Sequence, residues 1–169
     1  MNQAHLHLIL NHFPIIGTIF SFIILLTGML LNQPGIKRSG LGLFVLTGLM
    51  AIPAFLTGQG AEEVLKSIRQ NPEVFEEPHE KLGEIAVWTC SIIGLIALIA
   101  LLIENKYGSI FKILTISILI LSLANGILMK NVGTSGGEIR HTEIRSPNAG
   151  DLLQPGQNPD TLEIEDDDD

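Results

Sequence analysis

Four stretches of this chain, residues 13–31, 41–58, 85–103 and 113–129, contain no Asp, Glu, Lys or Arg. Each approaches the ~20 residues that a helix needs to cross a hydrocarbon core of roughly 30 Å at about 1.5 Å per residue, and flanking residues supply the difference. A backbone in lipid finds no water for its N–H and C=O groups, so such runs must be helical. The expected fold is all-α, a bundle of four transmembrane helices in contact with the lipid bilayer. The 46% hydrophobic content and positive mean hydropathy exceed what one soluble domain of 169 residues usually needs. No Lys or Arg precedes the first run and no small-residue cleavage site closes it, so it is expected to stay as a helix rather than leave as a signal peptide.

Charge divides the chain in two. Residues 1–130 hold eight Lys/Arg and eight Asp/Glu, which cancel, so the formal charge of −8 is carried by residues 131–169. The expected organisation is a four-helix transmembrane domain at 1–130 followed by an extramembrane tail at 131–169, Gly-rich first and acidic later. The last part of that tail, ending in four aspartates, buries too little apolar surface to order itself and is expected to be disordered. No basic footprint for nucleic acid exists. The lone cysteine, Cys90, sits in an apolar run, which excludes an intrachain disulfide and suits a packing role.

Orientation follows from the short connections. Lys37 and Arg38 lie between the first two runs, and Lys106 and Lys112 flank the link between the last two. Short basic loops stay cytoplasmic, which places both termini and the connection at residues 60–83 on the outer side. Within that connection Ala61, Val64, Leu65 and Ile68 recur at helical spacing, with Glu62, Glu63, Lys66 and Arg69 on the other side. This predicts a short amphipathic helix on the outer membrane surface, ended by Pro72. Pro78 suits the first turn of the third helix, starting near His79. Residues 136–145 alternate Ile139 and Ile144 with charged neighbours and are expected to fold back over the outer mouth of the bundle.

The candidate chemistry lies with five histidines, His5, His7, His12, His79 and His141, all on the outer side. His12, with Asn11 beside it, enters the first apolar run, where a polar side chain is costly without a partner. His5 and His12 are seven residues apart and share one helical stripe, whereas His7 shares another with Asn11. On the third helix Gly83 and Ala86 follow His79 at i+4 and i+7, leaving room for either a flat macrocycle or close helix packing. Neutral imidazole binds haem iron, copper and zinc, and a membrane bundle can aim two rings at one point. His12 opposite His79 is the first expected pair for haem b, with His141 able to replace either. His5, His7, His12 and His79 with Glu63 or Glu80 form the alternative copper or zinc site.

Other classes find no support in the sequence. It contains no C-x-x-C-H, H-E-x-x-H or C-x-x-C stretch, no G-x-S-x-G elbow, no P-loop and no dinucleotide fingerprint. The chain reads as no enzyme of a familiar class, and a non-catalytic structural or assembly subunit of a membrane complex stands beside the cofactor-binding readings.

The order of motifs resembles a widespread group of uncharacterised bacterial four-helix inner-membrane proteins. The resemblance rests on His5, Leu6 and His7, then His12, Phe13 and Pro14. It continues through LTGQGAEE at 56–63, His79 and Glu80, and GGEIRH at 136–141. It spans roughly residues 5 to 145, with Thr142 where that group has proline. It implies a bacterial inner (plasma) membrane location, a suspected haem, cytochrome or other respiratory membrane proteins as partners, and convergence of His5, His7, His12, Glu63, His79 and His141.

Overall fold

A computed structural model of the chain describes residues 2–68, 73–141 and 144–145. Among them the secondary structure is helical throughout: α1 (Gln3–Leu10), α2 (His12–Leu30), α3 (Pro34–Ile68), α4 (Glu73–Ile103) and α5 (Gly108–Arg140). Four spans, Gln3–Leu30, Pro34–Ser67, Glu76–Ile103 and Gly108–Ile139, are long and apolar enough to cross a membrane. The protein is thus a multi-pass membrane bundle. Each of α2 to α5 packs against its neighbour in sequence, α5 returns to α2 to close the ring, and α1 lies against α3. Short turns between long helices dictate this up-and-down order.

The helix ends have local causes. Pro14 has no N–H to give the Leu10 carbonyl, and the first membrane helix is interrupted at Asn11, three residues earlier. After α2 the chain closes a Schellman turn: Gln33 N–H donates to Gly28 O at 2.9 Å and Asn32 N–H to Met29 O at 3.2 Å. Asn32 adopts a left-handed φ of 51°, and its side chain accepts from Lys37 Nζ at 2.8 Å. That end is further tied by Arg38 Nε donating to Glu104 at 2.8 Å.

Packing relies on small residues, as expected where lipid tails are as apolar as leucine. A Cβ on Gly40 would sit 2.6 Å from Leu25 N, and one on Gly48 would sit 2.8 Å from Cys90 O, so α3 meets both α2 and α4 backbone to backbone. Leu25, Leu41, Phe44, Ile93, Ala97, Ala100 and Ile118 fill the half nearer the basic turns. Ala51, Ala86, Cys90 and Met129 fill the other half. Outward, Ile85, Trp88, Ile92, Leu95, Ile99 and Leu102 form an exposed apolar stripe along α4, suited to lipid.

A polar cluster crosses the centre. Asn125 on α5, 4% exposed, accepts from Thr89 Oγ1 at 2.8 Å and donates to Thr18 Oγ1 at 3.1 Å and Cys90 Sγ at 3.4 Å. Three helices are joined at one amide. Cys90 has the expected packing position, with a hydrogen bond added.

Three helices extend beyond their apolar runs. The amphipathic segment at 61–68 is the last two turns of α3, not a separate surface helix, because no breaker interrupts the chain after Gly58 and Gly60. Helix α4 starts at Glu73, so Pro78 lies inside it instead of in its first turn. Helix α5 continues past Lys130 through Gly133, Gly136 and Gly137 to Arg140, so helical structure extends beyond the expected domain boundary at 130. The final carbonyls of α5 are capped by the chain turning back: Arg145 Nε donates to Glu138 O at 2.8 Å. Pro72, Thr142 and the expected disordered acidic tail at 146–169 lie outside the described residues.

Candidate functional site

The extended ends of α3, α4 and α5, the short α1 and the start of α2 line a half-open cavity of about 140 Å³ at the end of the bundle opposite the basic turns. At ~30 Å³ per water that is room for four or five molecules. His7 and His79 both line it, with Glu62, Glu76 and Glu80 around them and Gly83, Ala86 and Met129 on its apolar walls. The two imidazole ring centres are 6.4 Å apart with planes at 77°.

Each ring is fixed by a neighbour. His7 Nδ1 lies 2.9 Å from the Ala54 carbonyl, which can only accept, so this nitrogen carries the proton. Thr57 Oγ1 donates to the Pro53 carbonyl at 2.8 Å and stands 3.4 Å from the same ring nitrogen. His79 Nδ1 lies 3.1 Å from Ser135 Oγ, which itself stands 3.1 Å from the Val132 carbonyl and can donate to it. In the neutral form His7 Nε2 therefore keeps its lone pair.

Glycines make these positions possible. A Cβ on Gly58 would lie 3.3 Å from His7 Cε1, and one on Gly136 would lie 2.9 Å from His79 Cε1. A Cβ on Gly60 would press to 2.6 Å from Gln3, so α1 can reach α3 only over bare backbone. Beside Gly83 there is open space, with no atom within 4 Å of a Cβ placed there. Asn11 lines the cavity too, and its buried Oδ1 has no hydrogen-bond partner among the described residues.

The remaining histidines are placed elsewhere. His12 is exposed, its Nδ1 bonded to Leu8 O at 2.9 Å, and it borders a separate apolar groove between α2 and α3. The structure thus sets His7, and not His12, beside His79. The cause is the stripe: His7 and Asn11 face inward together, which turns His5 and His12 outward. His5 and Glu63 are exposed and away from the cavity, and Glu80 is exposed at its rim. His141 caps α5, donating its N–H to Gly137 O at 2.9 Å, and does not line the cavity. Among the described residues no group of three or more His, Cys, Asp and Glu side chains is arranged to hold a metal ion.

Glu62, Glu76 and Ser135 were not legible as site residues. Glu62 sits in the amphipathic segment on the same helical turn as Glu63, Glu76 precedes His79 by three residues, and Ser135 lies in a stretch read as tail. The spacing of His7 and Asn11 was the one signal available for the inward stripe. No family model, curated protein or solved structure matches the chain.

Proposed function

We propose that this protein carries a redox-active metal centre between His7 and His79, with haem b as the first reading and electron transfer or redox sensing as its role. The observation that carries the reading is the ring pair itself. A metal about 2.0 Å from one nitrogen of each of two imidazoles holds the ring centres roughly 6 Å apart, near the 6.4 Å seen. Each ring holds Nδ1 against a fixed partner, the arrangement that orients metal-ligating histidines, and would offer Nε2 to the metal. Haem suits the ligand number, since its macrocycle supplies four nitrogens and the protein need supply only two. The cavity of about 140 Å³ is below the roughly 300–1,000 Å³ typical of cofactor pockets, so haem would require its walls to part.

A bare copper ion is the second reading, favoured by that small volume and by three carboxylates in the lining, which suit a cation better than a group bearing propionates. In either case the chain binds, orients and shields the metal. The resemblance noted in the sequence agrees with this reading and adds a bacterial inner membrane and a cytochrome-like membrane partner, while the basic short loops favour both termini outside.

The test is an absorption spectrum of protein purified in detergent from haem-replete cells, oxidised and then reduced with dithionite, with metal analysis of the same sample. A Soret band with sharp reduced α and β bands supports haem b. Copper at one per chain without a Soret band supports the second reading. Neither, in folded protein, favours the structural-subunit role and ends both.

A further inference from the structure

The segment from Val132 to Gly136 continues α5 where the sequence suggests a flexible tail, and it lies directly against His79. We infer that Ser135 and Gly136 are positioning residues: together they form a shelf that holds His79 as the Nδ1–H tautomer with Nε2 turned to the cavity. The inference deepens the proposed metal site and rests on it for its purpose, though not for its geometry.

Three contacts build the shelf. Ser135 is buried at 8% exposure and spends its single proton on Val132 O, so the lone pairs of Oγ are what His79 Nδ1 meets at 3.1 Å. Gly136 supplies the surface: a Cβ there would overlap His79 Cε1 at 2.9 Å, so the ring lies flush on the backbone of α5 only because that side chain is absent. His7 is held by a different element, the Ala54 carbonyl on α3, so the two ligand rings take their tautomers from independent supports. Changing one support should leave the other ring as it was.

Histidine 15N chemical shifts, measured by NMR on the full chain in detergent without added metal, report the tautomer directly. His79→Gln and His7→Gln variants assign the signals. Wild type is expected to show both rings as Nδ1–H. In Ser135→Ala and in Gly136→Ala, the His79 signals should move to exchange between tautomers while those of His7 stay fixed, and Ser135→Thr should restore the wild-type pattern. In the metal-loaded protein, the Ser135→Ala and Gly136→Ala variants should bind about 10-fold or more weakly, the usual cost of losing a partner to a ligand histidine. A wild-type His79 protonated on Nε2, or a His79 that keeps its Nδ1–H tautomer in both variants, overturns the inference. If the tautomers behave as expected while no preparation ever holds metal or haem, the shelf stands and the metal reading falls.

Discussion

Two polar clusters lie inside this bundle, and they use their hydrogen-bonding capacity in opposite ways. Around Asn125 every group is matched: the amide oxygen accepts from Thr89, the nitrogen donates to Thr18 and Cys90, and the two threonine hydroxyls find Asn125 and main-chain carbonyls. Around His7 and His79 the hydrogen bonds hold Nδ1 of each ring, and both rings line a cavity edged by carboxylates and the unmatched Asn11 oxygen. The first pattern ties helices together, because a half-satisfied buried group is costly. The second accepts that cost where a ligand can repay it.

The strongest way to break this contrast is to delete one ring. His79→Ala or His7→Ala should abolish the bound chromophore or metal, a loss of more than about 100-fold in affinity, while detergent-purified protein remains helical by circular dichroism. Asn125→Ala should leave the spectrum intact. If it removed the chromophore as completely as His79→Ala, the division between the two clusters would be lost.

Filling the cavity sharpens the contrast further. Gly83→Leu places a side chain in the open space beside the ring pair, so binding should fall roughly tenfold, about 1.4 kcal/mol. Thermal unfolding should be unchanged or improved, because glycine inside a helix costs about 0.5–1 kcal/mol relative to alanine. A variant that bound normally would show the ligand to lie elsewhere.

Asn125→Ala itself should lower stability by only about 1 kcal/mol, read from unfolding in mixed micelles, since interhelical hydrogen bonds in membranes are individually weak. Thr18 and Thr89 also keep their acceptors at Pro14 O and Ala86 O. Smallest of all, Arg38→Ala at the far end removes a half-exposed ion pair and should cost less than about 1 kcal/mol.

How much of this was legible in the sequence varies with depth. The four apolar runs determined the four crossings, because lipid permits nothing but helix there. Outside the lipid the argument had less force, and three helices overran their expected ends. Gly133, Gly136 and Gly137 read as a flexible tail by propensity, yet they remain helical where α5 packs on its neighbours: the bare backbone of Gly136 receives His79, that of Gly137 receives Ile144, and Gly133 faces Ile15. Pro78 lies within α4 because a helix can forgo one N–H near its start and continue. The histidine pairing turned on rotation about α1, which the sequence shows only through the spacing of His7 and Asn11. Depth pointed instead to His12, whose outward neighbours were invisible without the fold. Asn125 was passed over for the same reason, as one amide in an apolar run has no periodic partner.

The break at Asn11 has a mechanical consequence. His79 stands on a thirty-one-residue helix locked between two others, whereas His7 rides on the eight-residue α1, too short to persist alone. The arm is joined to α2 through one residue and is held down where it lies on the bare backbone of Gly58 and Gly60 and where His7 meets the Ala54 carbonyl. A ligand gripped by both rings would therefore work as a clasp, fastening a short arm to a fixed post. Amide exchange in α1 should slow when the site is loaded, far more than in the helices that never needed fastening.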